Sequence, residues 1–295
     1  MKQQFGKYIA SLLIFGTNGV VVSFITLNTT AIIFYRTAIG SLFLLAVLLF
    51  QRRLPRFRAL KGQLLPVAVS GATLGLGWLF LFEAYRQIGV GTATLLYYLG
   101  PAMVLAAAPL LFSERITTAR IVGILAAFAG MVLVNFQSLG SGQADGSAIV
   151  GVICGLASAF WYASMIVANK KITGIEGVER TFFQLVFAGL VVTAYALCSH
   201  KALWPVQTSE LLPLLILCIV NTGLACYLYF SSMHLLPAQS VAVCGYIDPL
   251  SALVFATVFL DEPMGILQLF GALLILGGAA FGELYRRPHT KGEQV

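Results

Sequence analysis

Charge is what this sequence has least of: 18 Lys and Arg and 11 Asp and Glu make up 10% of its 295 residues, against about 25% in a soluble domain. A surface so poor in charge excludes an ordinary water-soluble fold. Histidine is scarce, at three residues. The five cysteines, Cys154, Cys198, Cys218, Cys226 and Cys244, form no CxxC pair and have no His at ligand spacing, so no metal site or redox dithiol is expected. No GxxxxGK[ST] segment occurs, which excludes a P-loop nucleotide motor.

What the chain does have is apolar length. Hydrophobic residues make up 59% of it, and a bilayer core about 30 Å thick needs roughly 20 of them per helix. The pattern gives spans at 8–26, 31–50, 64–85, 92–112, 119–136, 147–168, 181–198, 211–232, 238–259 and 264–284. The first follows Lys2 and Lys7 but is long for a signal segment and lacks a small-residue cleavage site, so it reads as a span. No interval between spans approaches the roughly 50 residues of a soluble domain. Function is therefore expected within the helices.

Basic residues orient them. With the N-terminus inside, fifteen Lys and Arg fall on the cytoplasmic side and three, Arg36, Arg86 and Lys201, on the other. An even number of spans returns the C-terminus inside. The basic loop from Gln51 to Lys61 reads as a topology and lipid-headgroup anchor, because it lacks the interleaved aromatics of a nucleic-acid surface; no nucleic-acid partner is expected.

The helices repeat. At an offset of 148, Gly75-Leu76 meets Gly223-Leu224, Phe82 meets Phe230, Tyr98 meets Tyr246, Pro101 meets Pro249, Glu114 meets Glu262, Gly123 meets Gly271 and Gly130 meets Gly278. At 147, Ser11, Phe15, Asn18 and Val22 meet Ser158, Tyr162, Met165 and Asn169. Pro, Glu and Gly hold backbone and boundary positions, so their alignment is not chance apolar matching. A repeat of five spans is odd, and its second copy must cross in the opposite sense. The expected fold is all-α integral membrane, with ten transmembrane helices as two inverted five-helix repeats and both termini cytoplasmic. Its parts are residues 1–138, an extracytoplasmic linker 139–146, residues 147–285 and a cytoplasmic tail 286–295.

The segments from Leu99-Gly100-Pro101 through Ser113-Glu114-Arg115 to Gly130, and from Ile247-Asp248-Pro249 through Asp261-Glu262-Pro263 to Gly278, resemble the drug/metabolite transporter superfamily, specifically an EamA-type protein with two EamA repeats. The resemblance covers almost the whole chain and implies ten helices, a bacterial inner-membrane location and transport of small metabolites, often export of amino acids or related compounds. Asp248 stands where the first repeat has Gly100, a departure from the mirrored pattern.

Charged groups inside spans are costly and mark functional candidates. Glu83 and Arg86, at i and i+3, are expected to share a face with Arg36, either as a network that receives a substrate carboxylate or as a structural lock. Asp248, before a helix-breaking proline, suits a cation or amine, or accepts a hydrogen bond from a neighbouring helix. Glu83 and Asp248 are the candidate proton carriers. Trp78, Tyr98, Trp161, Tyr162 and Tyr246 are expected to wall the substrate cavity, with Tyr85, Tyr97, Tyr227, Tyr229, Asn18, Asn169, Asn221 and Gln239 as further polar lining. His234 reads as a solvated loop residue and Glu114 and Glu262 as boundary caps. The partners expected are a small-molecule substrate, membrane lipid and protons as coupling ion. No cofactor is expected, and a monomer is favoured over an oligomer because the glycine stripes find their partners within the bundle. The alternatives are an importer of the same solutes, an auxiliary subunit, and an intramembrane hydrolase, which lacks a second intramembrane Asp for a dyad.

Overall fold

The structure, a computed structural model, describes residues 2–53, 55–112, 118–140, 146–175, 177–203, 206–233, 235–236, 241, 244–262 and 264–284. Its elements are α1 (Lys2–Gly16), α2 (Asn18–Ser23), α3 (Thr29–Phe50), α4 (Phe57–Ile88), α5 (Val90–Tyr97), α6 (Leu99–Phe112), α7 (Thr118–Gly140), α8 (Gly146–Lys170), α9 (Gly177–Cys198), α10 (Thr208–Leu215), a π-helical segment Ile216–Leu224, α11 (Ala225–Met233), α12 (Ile247–Phe259) and α13 (Ile266–Leu284). Among the described residues no strand occurs.

Six helices are long and apolar enough to cross a membrane, namely Lys2–Ser23, Thr29–Phe50, Leu60–Ile88, Ser147–Lys170, Gly177–Cys198 and Thr208–Met233. Four shorter apolar helices accompany them: Val90–Val104, Ile121–Val134, Ile247–Phe259 and Ile266–Gly278. Large apolar side chains cover the outside, among them Leu65, Leu197 and Ile266, each at least 70% exposed. In water such a surface would aggregate; against acyl chains it is solvated.

Helix breaks follow sequence rules. Pro101 and Pro249 each occupy the third position of their helix, and each helix begins just after a turn at a repeat-related tyrosine, Tyr98 or Tyr246. Proline has no N–H for the carbonyl four residues back and crowds it, so the helix starts afresh there. Gly89, at φ +79°, separates α4 from α5 in a conformation that only glycine adopts without strain. At the start of α3, the Asn28 side chain accepts the Ala31 N–H at 2.9 Å, which caps the helix earlier than the expected residue 31. Arg36 is therefore its eighth residue, roughly 10 Å inside at 1.5 Å per residue. The sequence reading had placed it at the beginning of this span.

Packing is mostly between the two halves of the chain. The helix α4 lies on α8 and α9, α3 on α9 and the π-helical segment, α1 on α11 and α12, α5 and α6 on α8, α5 on α12, and α7 on α13. Exchanging residues before 141 with their counterparts after 145 maps this set of contacts onto itself. The pair α7 and α13 shows the relation most directly. A Cβ at Gly130 would lie 2.5 Å from the Gly271 carbonyl oxygen, and one at Gly278 would lie 2.6 Å from that of Gly123. Since Gly123 is the repeat counterpart of Gly271, and Gly130 that of Gly278, the two counterpart helices cross antiparallel with backbones in contact.

Gly278→Ala is expected to destabilise the bundle by about 1–3 kcal/mol, because the added methyl has no room. Gly277→Ala, where nothing lies within 4 Å, is expected to be neutral or slightly stabilising. Unfolding of the two purified variants in detergent checks the contrast.

Candidate functional site

The interface of the two halves encloses a cavity of about 830 Å³. Its position relative to the two faces of the bundle follows from the loops. On one face, the connection between α3 and α4 meets that between α8 and α9: Arg56 pairs with Glu179 at 2.8 Å and donates to the Gly174 carbonyl at 3.0 Å. The N-terminal end of α1 belongs to this near face, where Tyr8 Oη donates to the Val241 carbonyl at 3.0 Å. On the far face, the segment after α2 meets the start of α10, and the start of α5 meets the residues after α12. Near-face residues from the ends of these helices, Tyr8, Asn169, Lys170, Thr181, Met233 and Val241, line the cavity. It reaches inward to Arg36, Trp78, Phe82, Tyr85, Thr94, Tyr98 and Asp248.

The far face is tied by two carboxylates of the second half that hold backbone of the first. Glu210, 3% exposed, accepts the Thr26 N–H at 2.6 Å and the Thr26 hydroxyl at 2.5 Å, while its other oxygen accepts the Gln207 N–H at 3.2 Å. Glu262 accepts the Val90 and Gly91 N–H groups at 2.7 and 2.9 Å, so it caps α5 and satisfies donors that have no helical partner. Asp261, at φ +53°, turns the chain after α12 so that Glu262 faces α5, and the absent side chain of Gly89 leaves space for that carboxylate. The boundary role expected for Glu262 is thus a cross-half cap. Glu114, its counterpart, lies outside the described residues, as do His234 and Gln239.

Arg36 is 3% exposed and lines the cavity. Its Nε donates to Thr222 Oγ1 at 2.8 Å and its guanidinium carbon sits 4.0 Å from the Trp78 ring centroid and 5.5 Å from that of Phe82. The expected network of Arg36, Glu83 and Arg86 is not formed. Glu83 instead accepts from Gln87 Nε2 at 2.9 Å and Thr29 Oγ1 at 3.2 Å, and Arg86 donates to the Leu27 carbonyl. The packing of α3 on α4 explains the difference, since it sets Thr29 beside Glu83 and Arg36, two turns further along, on Trp78. Glu83 does not line the cavity.

Asp248 lines the cavity and accepts a hydrogen bond from the Tyr98 hydroxyl, which joins the two broken helices α5–α6 and α12 at their repeat-related breaks. Tyr98 is flanked by Tyr97 and Tyr162, with ring centroids 5.6 and 6.3 Å away; Tyr97 and Tyr162 stack at 4.4 Å. Trp78, Tyr98, Tyr162 and Tyr246 line the cavity as expected. Trp161 does not: it follows Phe160 and precedes Tyr162 on α8, and the turn of about 100° per residue directs it away, against Gly77 of α4. Tyr227 is likewise absent from this cavity. Asn18, Asn169 and Tyr229 line it. Asn221 instead ties the π-helical segment to α1, donating to the Ile14 carbonyl at 2.9 Å and to Thr17 Oγ1 at 2.8 Å. Reading the sequence missed Thr222, Tyr8, Phe82 and Glu210. A tyrosine or phenylalanine among 32 such residues carries no distinguishing mark.

The EamA-like transporter family matches residues 7–136 and again 149–282. The chain belongs to this family. Among relatives, a Bacillus subtilis protein named as an uncharacterized transporter is 25% identical over 95% of this chain and 89% of its own length. A Salmonella typhimurium protein named "Probable amino-acid metabolite efflux pump" is 28% identical over 74% of this chain and 77% of its own. An Escherichia coli protein named as an inner membrane transporter is 26% identical over 87% and 83%. One solved crystal structure superposes with a TM-score of 0.65 at 19% identity, covering 96% of this chain and 98% of that one, which shows the shared fold. This EamA-like protein is a multi-pass membrane protein, and the double match covers most of both halves that the contacts relate.

Because the Glu83 carboxylate is engaged away from the cavity, Glu83→Gln is expected to leave solute exchange in proteoliposomes within about twofold of wild type. Trp161→Phe is expected to behave alike. Loss of exchange in either folded variant would move that residue into the transport path.

Proposed function

We propose that the protein is a secondary transporter of a small metabolite, exporting an amino acid or related compound by alternating access, with both termini cytoplasmic. The observation that carries the mechanism is the cavity at the interface of antiparallel halves, lined from the near face and opposed by cross-half ties at the far face. Two packings of one interface, exchanged between halves, make such a site accessible from one side at a time. The near face holds Arg52, Arg53, Arg56, Arg58, Lys61, Lys170, Lys171 and Arg180 and the far face Arg86 and Lys201, so the positive-inside rule makes the near face cytoplasmic. Six long and four shorter apolar helices support ten spans. The efflux pump from Salmonella supports the substrate class and export.

The reading assigns the far-face carboxylates to the closed side of this state. A counterpart bond exists on the near face: Thr173, 147 residues after Thr26, donates its N–H at 3.0 Å to Gln63, 147 residues before Glu210. A neutral amide stands there where the far face has a carboxylate, and hydrogen bonds to a charged group are roughly twice as strong. Asp248, the acid within the cavity, is the candidate coupling group.

Counterflow in proteoliposomes loaded with a mixed metabolite pool containing all amino acids, read by mass spectrometry, tests the function. Selective exchange is expected, and a folded protein that exchanges none of the pool overturns the amino-acid reading. Asp248→Asn is expected to abolish pH-driven flux while leaving the fold intact. Unchanged pH-driven flux would remove Asp248 from coupling.

A second prediction concerns the far face. Replacing Glu210 and Glu262 together by Gln weakens the cross-half contacts that close that face. Labelling of a cysteine at Leu81, a cavity residue 5% exposed, by a membrane-impermeant maleimide added to the far side should then rise at least about fivefold, the sign of a population shift.

A further inference from the structure

The substrate reading above names a class, and the cavity wall supplies a mechanism of recognition that rests on that reading. Arg36 is a buried cation without a carboxylate: it forms no ion pair with Asp248 or Glu83, and among the described residues its hydrogen bonding ends at Nε. The two terminal nitrogens are left without a protein acceptor on a side chain that lines the cavity. A buried guanidinium is retained at a cost of several kcal/mol unless something satisfies it. The ring faces of Trp78 and Phe82 supply part of that compensation and fix the plane of the guanidinium, while Thr222 fixes its rotation through Nε.

Thr222 reaches Arg36 because the helix is irregular there. It lies in the π-helical segment Ile216–Leu224, and its hydroxyl donates to the Leu217 carbonyl five residues back at 2.8 Å. That hydroxyl proton is thereby committed, so the oxygen presents a lone pair to Arg36. The wider turn also directs Asn221 to α1 while Thr222 faces α3. Gly40, one turn beyond Arg36, leaves the space that the Thr222 methyl group needs, since a Cβ there would lie 2.8 Å from it. The counterpart of Thr222 in the first repeat is Leu74, within the continuous helix α4. The device exists in the second half alone, which gives a nearly symmetric cavity one polar wall. Single π turns inside α-helices frequently mark functional sites.

We propose that Arg36 is the receptor for the substrate carboxylate, held by Thr222 and Trp78 so that its two terminal nitrogens form a fork toward the cavity, and that Asp248 on a different wall receives a protonated amine at the other pole. Planar two-point pairing of guanidinium with carboxylate discriminates by geometry as well as charge, which an ammonium on a flexible stem does not reproduce. Among the described residues the Asp248 carboxylate accepts one hydrogen bond, from Tyr98, and has acceptor capacity remaining for an amine. Thr222 is a positioning residue in this scheme and does not touch the solute.

The test uses the purified full chain in detergent with equilibrium dialysis against two defined pools, the twenty protein amino acids and the corresponding amino amides, read by mass spectrometry. Wild type should retain acids at least about tenfold better than their amides, the size of a lost charged hydrogen-bond pair. Arg36→Lys should lower retention of acids by about tenfold or more, despite the conserved charge. Thr222→Val, in protein that remains folded, should narrow the ratio of acid to amide by about threefold to tenfold, and Thr222→Ser, which keeps the hydroxyl, should restore it. Equal retention of acids and amides by wild type overturns the proposal, as does wild-type behaviour in Arg36→Lys. If Arg36→Lys fails to fold, the wild-type ratio and the Thr222 pair still decide. Exchange in proteoliposomes without retention of either pool would overturn this site and leave transport standing. Retention that depends on Arg36 with no flux of any solute would do the reverse.

Discussion

In a hydrocarbon environment a backbone amide or carbonyl without a partner costs several kcal/mol, and that constraint organises this molecule. Regular helix satisfies every backbone group internally, so each departure from it has to be compensated nearby. The departures among the described residues are few: the turns at Thr17, Tyr98 and Tyr246, the left-handed Gly89 and the π-helical stretch from Ile216 to Leu224. Tyr98, Tyr246 and Arg36, the partner of Thr222, line the cavity, and Gly89 meets the far-face cap of Glu262. The irregular backbone therefore coincides with the places where a transporter of this reading binds and closes.

The same constraint explains why the two halves pack on each other more than on themselves. A short helix such as α12 or α5 cannot bury its broken end alone. Donors at the start of α5 are met by Glu262 from beyond α12, and Asp248 near the start of α12 is met by Tyr98 from the break between α5 and α6. Each half thus completes the backbone or side-chain bonding of the other. Bonds that cross the interface at its two faces cannot all persist if the halves rock. The glycine contacts between α7 and α13 lie outside that exchange and serve as a fixed backbone crossing.

Much of this architecture was legible in the sequence because its determinants are local or periodic. Apolar runs of about 20 residues announce spans, and Pro101, Pro249, Gly123 and Gly271 announce the repeat, because only backbone function aligns such residues at one offset. Tyr98 and Tyr246 were legible for the same reason, through placement near mirrored breaks, whereas Trp78 and Tyr162 were legible only as aromatics within apolar spans. What was not legible depends on rotation about a helix axis and on a start position off by two residues. Trp161 and Tyr162 are adjacent, and no pattern in an apolar helix says which of them faces inward. The side-chain cap by Asn28 starts α3 two residues earlier than expected, and Arg36 stands as a buried cation on the cavity wall rather than in the expected network with Glu83 and Arg86.

The π-helical segment is the least legible feature and the most consequential for selectivity. Its sequence, ILCIVNTGL, is an ordinary apolar run by composition, and no propensity distinguishes a π turn from an α turn there. It is set by tertiary bonds: Asn221 to α1 on one side and Thr222 to Arg36 on the other pull successive residues toward different helices, and one wider turn satisfies both. The repeat makes the consequence plain. Leu74 in the first half keeps a regular helix and offers no hydroxyl of the kind with which Thr222 holds Arg36. Three departures from the repeat bear on the cavity: Arg36 in the first half, whose counterpart is Gln184, and Thr222 with its π turn and Asp248 in place of a glycine in the second. They convert a symmetric passage into one with a cation on one wall and an acid on another, and an oriented site of that kind distinguishes the two ends of a solute while the symmetric scaffold around it still supplies two packings.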